Sequence, residues 1–433
     1  MGRFFRISVH RRDLIFSHLL CVFLLLGAGT TADAQGTLMG HRAADLVDVD
    51  SYRYFMEQKL YAHDGDDRGF GPEHDLCRDN IEQLFIEYGL TVSLHEFTWN
   101  GGTYYNVVGE IPGTTQADQI YVVAGHFDSV GNPGADDNAS AVATLLEIAR
   151  IVGRWKPAAT IRLISFDREE QYLIGSQAYV NEFVHEDFRG VVSLDMIAYS
   201  GPDPDRARIH GRPQSNFLKD AVALALIDYA GLSPSIWGEL DRTDHAPFEW
   251  AGFQGCWLAE YNYIHHNPHY HQQTDSLDTP NYIDFDYAAK MTRAVIGWLV
   301  DATGLRPSLF ADTPVLAESG GTINFTLNAG RANGARTYLL CGSLSGMLPG
   351  TLLPGGLATI PLNRDWFSDY ILARLNRPVF ADFWGVFDST GSAAAQLNAP
   401  PLSGWVGSTM HFAYAAADPW DFVSNAVAIE VVP

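Results

Sequence analysis

Acidic doublets and single histidines recur in this 433-residue chain at places where a sheet would end its strands. They read His126-Phe127-Asp128, then Gly134-Ala135-Asp136-Asp137-Asn138-Ala139-Ser140, then Asp167-Arg168-Glu169-Glu170. Ser193-Leu194-Asp195-Met196 follows, and later His271 with Thr274-Asp275. Several of these groups directly succeed a short β-branched, apolar run, the point where an α/β sheet delivers side chains to one shared edge. Imidazoles and carboxylates gathered at such an edge are ligands for a zinc-like divalent cation. A glutamate left over beside them is what a hydrolase needs to activate water.

The elements that must carry these residues follow from periodicity. Residues 43–88 read as helical, with Ser51 as an N-cap and an amphipathic run through Ile81, Leu84, Phe85 and Tyr88. The polar stretch His63-Asp64-Gly65-Asp66-Asp67-Arg68-Gly69 between the helices lacks the closing glutamate of a calcium loop. Strands are expected at 91–98 and 104–110, joined by the turn Asn100-Gly101-Gly102. From there strand and helix alternate. The strands are 120–124, 160–166, 190–194 and 255–260, and the helices 138–152, 175–184, 216–229 and 286–302. That alternation predicts an α/β fold, a mixed and largely parallel sheet sandwiched between helices. After Leu305-Arg306-Pro307 helical runs disappear. Short alternating segments separated by Gly320-Gly321, Asn333-Gly334, Pro349-Gly350 and Pro354-Gly355-Gly356 predict a small all-β sandwich.

The N-terminal stretch reads as a targeting segment. Arg3, Arg6, Arg11 and Arg12 form a basic region, 14–27 a largely apolar one, and Ala32-Asp33-Ala34 a small-x-small cleavage site. The expected organisation is a signal peptide at 1–34, a catalytic domain at 35–305 and a β-sandwich accessory domain at 306–433. Cleavage near Gln35 implies a secreted or periplasmic protein with no stable membrane insertion, since no other apolar run is long enough to span a bilayer. A net charge of −23 argues against nucleic acid and anionic membranes as partners. Cys77, Cys256 and Cys341 would remain after cleavage, an odd number at spacings that match no zinc cluster.

The string from Gly125 to Ser140, the Glu169-Glu170 pair, Leu194-Asp195-Met196 and the late His271 together resemble the M28 family of di-zinc exopeptidases. The resemblance covers roughly residues 100–300. It implies two zinc ions per chain, peptide substrates and, as in bacterial leucyl-type aminopeptidases, removal of N-terminal residues. By resemblance, His126, Asp137 and Asp195 hold one ion, while Asp137, Glu170 and His271 hold the other. Asp137 bridges, a cis peptide follows it, and Asp128 orients His126. Glu169 is the general base and acid. Among His265, His266, His269 and His271, only His271 has the family's aspartate four residues later, Asp275. Asp136 is read as a capping or loop residue at a helix start.

One family feature is missing. Some members carry an oxyanion-stabilising tyrosine shortly before the pair that here is Asp244-His245, and this chain has Glu239-Leu240-Asp241-Arg242-Thr243 instead. Arg242, His245, Tyr261 and Tyr263 are the alternative donors. Two rival readings accompany the exopeptidase: a glutaminyl-peptide cyclotransferase on the same fold, and a non-catalytic binding protein that kept it. For the accessory domain the expectations are a carbohydrate or surface ligand, or a packing role.

Overall fold

The computed structural model describes residues 38–60, 67–262 and 266–433. The expected signal peptide at 1–34, most of the polar loop at 63–69, Tyr263 and His265 lie outside the described residues.

Residues 38–44 are helical (α1), followed by α2 (Val49–Phe55), which runs on into a wider turn at Met56–Leu60, and by α3 (Pro72–Glu87). Asp48, not Ser51, caps α2 by accepting from the Asp50 N–H. Ser51 sits inside the helix, and its hydroxyl reaches Glu147 at 2.7 Å. The apolar run predicted around Ile81 buries Ile81, Leu84 and Phe85 on α3.

An eight-stranded sheet forms the centre. Its strands are β1 (Thr91–Trp99), β2 (Gly102–Ile111), β3 (Gln116–His126), β4 (Ala159–Phe166), β5 (Asp187–Leu194), β6 (Arg206–His210), β7 (Ser233–Ile236) and β8 (Gly255–Glu260). They lie in the order β1-β2-β4-β3-β5-β8-β6-β7. The middle four, β4-β3-β5-β8, are mutually parallel. β1 and β2 form a hairpin whose turn residues Asn100 and Gly101 both have positive φ, as a tight hairpin turn requires.

Helices α4 (Ser140–Val152), α5 (Ile174–Phe183), α6 (Asn216–Ala230), α7 (His245–Trp250) and α8 (Phe285–Thr303) complete the layer structure. Alternate residues of a strand feed two separate cores. Val123, Leu163 and Val192 join Leu145, Leu146 and Ile296 on one face, whereas Val122, Ala124 and Ile164 join Tyr179 and Phe248 on the other. Both faces are covered, so the central strands read as near-continuous apolar runs. The predicted helix at 138–152 begins two residues later because Asp137 and Asn138 hold non-helical backbone angles. The sequence reading did not foresee β6, β7 or α7, which are short and carry weak periodicity.

The chain's first core runs to Leu305, and a second begins at Leu309. The second lies between two mainly antiparallel sheets built from short strands β9 (Leu309–Ala311), β10 (Val315–Ala317), β15 (Phe380–Ala381), β16 (Trp384–Val386), β19 (Phe422–Val423) and β20 (Val427–Val432) together with four longer ones, β11 (Gly321–Asn328), β12 (Thr337–Ser343), β17 (Ser392–Ala399) and β18 (Thr409–Ala416). One sheet is ordered β10-β20-β18-β12-β16 with β19 beside β18, the other β15-β17-β11-β9. Phe325, Leu340, Phe383 and Phe412 fill the space between them. This is the predicted sandwich, with one difference: a two-turn helix, α9 (Trp366–Leu372), interrupts the strands. Asp365 caps it by accepting from the Phe367 and Ser368 N–H groups, a local signal that the absence of longer helical periodicity hid. Cys77 and Cys256 are buried free thiols and Cys341 a half-buried one. No helix among the described residues is long and apolar enough to cross a membrane.

Candidate metal centre

The sheet order explains why the chemistry collects where it does. β3 lies between β4 and β5, so the chain leaves it toward one side and returns on the other, and a crevice opens at the carboxyl ends. His126 is the last residue of β3, Asp195 follows the last of β5, and Glu169 and Glu170 stand on the turn after β4.

His126 donates from Nδ1 to the main-chain carbonyl of Asp128 at 3.0 Å, while the Asp128 carboxylate stands farther off at 3.6 Å. The carboxylate expected to orient the imidazole stays within ion-pair reach of it and has a second task. Its two oxygens accept from the backbone N–H of Glu169 at 3.1 Å and of Glu170 at 3.3 Å. Asp128 thus fixes the imidazole through its backbone and the glutamate pair through its side chain. With Nδ1 committed to a carbonyl, Nε2 presents its lone pair to the crevice.

Asp137 meets both histidines. Its Oδ1 lies 3.3 Å from His126 Nε2 and its Oδ2 3.2 Å from His271 Nε2. His271 Nε2 is also 3.3 Å from Glu170, and His126 Nε2 is 3.8 Å from Asp195 and 3.9 Å from Glu169. The peptide after Asp137 is cis, as the resemblance implied. The Asn138 side chain donates to the Leu194 carbonyl at 2.9 Å and accepts from the Met196 N–H at 3.4 Å, tying this loop to the end of β5. Asp275 accepts from the Asp136 and Asp137 N–H groups at 2.8 and 3.1 Å, which makes the aspartate four residues after His271 the support of the bridging loop. Arg68, itself buried, donates to the carbonyls of Phe127, Pro133 and Gly134 and holds that loop from behind.

Asp136 is not a helix cap. Its carboxylate accepts from the Ala198 N–H at 2.8 Å and the Asn267 side chain at 3.1 Å, deep in the core, and burial pushes it up to about 6. A reading of nearest neighbours in sequence misses this, because its partners lie 62 and 131 residues away. His269 bonds Thr274 and packs against Tyr282, away from the cluster, and His266 is exposed.

The charges at the centre are unbalanced. Burial opposes a charge on His126, yet Glu169, Asp128, Asp137 and Asp195 together hold its imidazole well above the usual range. Asp137 and Glu170 raise His271 to about 10. Burial raises Glu170 to about 7 and lifts Glu169 well above the carboxylate range, with Asp195, Asp244 and Glu170 adding to the latter. His126 Nε2 and Glu170 Oε1 are buried without a hydrogen-bond partner. Ligand atoms of His126, Glu169 and Asp195 lie within 4.8 Å of one another, as do those of Asp137, Glu170 and His271. Four clustered carboxylates with an orphaned imidazole nitrogen are a donor set for divalent cations, and mixed nitrogen and oxygen ligands suit zinc.

A cleft of about 440 Å³ opens over these side chains. Met196, Trp257 and Tyr270 wall it inside, while Tyr172, Asp241, Arg242 and Trp250 stand toward solvent. Tyr270 is the functional candidate that the sequence reading missed. Its ring stacks on His271 at 4.0 Å between centroids, and its hydroxyl is held un-ionised by burial and by the carboxylates of Asp137, Asp195, Glu170 and Glu169. Its adjacency to His271 was the available signal. Of the donors considered earlier, Tyr261 lies under the guanidinium groups of Arg206 and Arg208, and His245 is buried and pushed down to about 3. Arg242 is on the exposed rim.

Residues 106–297 match the profile of peptidase family M28. The chain is 26% identical over 241 residues to leucine aminopeptidase 1 of Paracoccidioides brasiliensis, covering 49% of this chain and 58% of that one. It is 29% identical over 222 residues to an aminopeptidase of Bacillus subtilis, covering 48% and 47%. A probable zinc metalloprotease of Leptosphaeria maculans is 26% identical over 261 residues, covering 49% and 61%. The chain therefore spans about half of the length of the curated relatives it matches. Among solved structures, an Aneurinibacillus aminopeptidase superposes with a TM-score of 0.53 at 18% identity, over 61% of this chain and 96% of that one. A glutaminyl cyclase of Macrostomum lignano superposes with 0.52 at 19%, over 62% and 93%. These two share the fold. The matched segment contains every clustered side chain from His126 to His271, and over it the chain is similar to peptidase family M28.

Proposed function

We propose that this chain is a zinc-dependent aminopeptidase that removes N-terminal residues from peptides, using two metal ions and Glu169 as general base. The observation that carries the reading is Asp137, which turns one oxygen toward each of two histidines while Glu169 stands beside them. His126, Asp137 and Asp195 would hold one ion, and Asp137, Glu170 and His271 the other. Bound there, the ions would polarise a peptide carbonyl and make water acidic enough to ionise near neutral pH.

The chain's own groups do the rest. Glu169 is buried and has a raised proton affinity, so it can take a proton from the attacking water and return it to the leaving amine. Asp128 keeps that carboxylate in place by fixing its backbone N–H. The Tyr270 hydroxyl, un-ionised at neutral pH, supplies a donor for the developing oxyanion. Met196, Trp257 and Tyr270 offer an apolar wall for the side chain of the first residue. The surrounding carboxylates favour a protonated α-amine. A cyclase reading needs one metal trio; the second, Asp137 with Glu170 and His271, favours hydrolysis. The basic, apolar and small-residue pattern of 1–34 supports export, and the separate cores ending at Leu305 and starting at Leu309 support a division between catalytic and accessory domains.

A peptide panel tests the reading. Free and N-acetylated peptides would be incubated with the protein, with and without a chelator, and the products identified by mass. Chelator-sensitive loss of the first residue from free peptides only is the expected result. Release from the carboxyl end, or pyroglutamate as the product of glutaminyl peptides, would contradict it.

A further inference from the structure

Among the described residues lining the cleft there are five carboxylates, Asp137, Glu169, Glu170, Asp195 and Asp241, and one guanidinium, Arg242. Four of the carboxylates belong to the metal centre. The fifth is already neutralised: Asp241 accepts from the Arg212 guanidinium and, at 3.0 Å, from the Trp250 indole N–H. Arg242 is different. Its side chain has no hydrogen bond or ion pair with any described residue, although it is adjacent to Asp241 and the chain carries a large acidic excess.

The backbone beneath Arg242 is fixed. Its N–H donates to the Leu240 carbonyl at 3.0 Å, and the next residues, Thr243, Asp244 and His245, are fully buried at the start of α7. The guanidinium therefore projects from a rigid base into the mouth of an otherwise acidic cleft. Its neighbours in the lining, Trp250 and Tyr172, are exposed, whereas Met196 and Trp257 are buried against the metal centre. The buried wall fits the side chain of the residue being removed. The rim then meets what lies beyond the cleaved bond.

We propose that Arg242 is a specificity residue that anchors a substrate carboxylate beyond the scissile bond, so that the enzyme prefers short peptides ending in a free α-carboxylate there. This deepens the aminopeptidase reading and rests on it. A planar guanidinium pairs with a carboxylate through two parallel N–H···O bonds, a geometry that an amide end cannot match. The rim is solvated, so the contribution is modest and screened by salt.

The experiment compares leucyl-glycine with leucyl-glycinamide as substrates of the zinc-loaded full chain, for wild type and Arg242→Gln, at low and high salt. Wild type is expected to favour the free acid by about fivefold in kcat/KM, mainly through KM, and to lose the preference as salt rises. Arg242→Gln is expected to cleave the amide at the wild-type rate and to show no preference for the acid, or the reverse preference, at either salt concentration. Equal use of the two substrates by wild type overturns the proposal, as does a preference that survives the substitution. An equal fall for both substrates in the variant also overturns it, because it would mean a role in folding or in the chemical step. If wild type cleaves neither peptide, the aminopeptidase reading itself falls. If it cleaves the amide as well as the acid, only the role of Arg242 falls.

Discussion

Asp137 shows how a single side chain can organise a whole site. Each of its oxygens faces a different histidine, and both histidines gain their proton affinity from it and its acidic neighbours. Glu169 and Glu170 diverge for a related reason: Glu170 meets His271 at 3.3 Å, while Glu169 lies 3.9 Å from His126 with burial holding its proton. Glu169→Gln removes the proton acceptor but leaves the other donors, so zinc binding by dialysis should persist while turnover falls ~10²–10⁴-fold. Turnover close to wild type in a zinc-loaded variant would remove Glu169 from the mechanism. His126, Glu169, Glu170 and Asp195 were legible in the sequence because they end or closely follow apolar runs, and Asp137 and His271 through the family resemblance. Asp136 and Tyr270 were legible as residues but not as roles, and of the two tasks of Asp128 only the one toward His126 was. Their tasks depend on partners such as the Glu169 N–H, the Ala198 N–H and the His271 ring, which only the folded chain brings near.

At the scale of elements, the long strands and helices followed from periodicity, while β6, β7 and α7 did not. α7 spans only His245–Trp250 and buries nearly its whole surface, including His245 and Glu249. That burial has a measurable consequence. Burial pushes the His245 imidazole down to about 3, against an ordinary value near 6.5 in the unfolded chain. Between those values the unfolded chain binds a proton that the folded chain refuses. Its contribution is therefore intact above pH ~6.5 and is lost as the pH falls toward 3, by roughly 2 kcal/mol at pH 5. Urea midpoints at pH 7 and pH 5 should show a smaller decline for His245→Gln than for wild type, both loaded with zinc. An identical decline in the two proteins would mean that His245 is not the group responsible.

The described residues join an α/β layer structure to a β sandwich, each with its own core, and all the clustered histidines and carboxylates belong to the first. The β-rich character of the C-terminal part was visible in the sequence, since after Leu305 helical periodicity gives way to short segments between Gly and Pro turns. The contacts that pack the halves together were not visible, for example the Lys156 ammonium over the Phe422 ring, 4.8 Å from its centroid. They join residues more than a hundred positions apart, with no local pattern to announce them. The acidic excess of the chain is likewise legible as a number, whereas the gathering of Asp137, Glu169, Glu170 and Asp195 at one crevice is a property of the fold. The central claim is that this crevice is a two-cation centre on which peptide hydrolysis depends. Titrating the metal-free protein with zinc while measuring release of N-terminal leucine tests it most directly. Activity should be absent at the start and rise to a plateau at two equivalents per chain. Full activity in the metal-free protein would contradict the account.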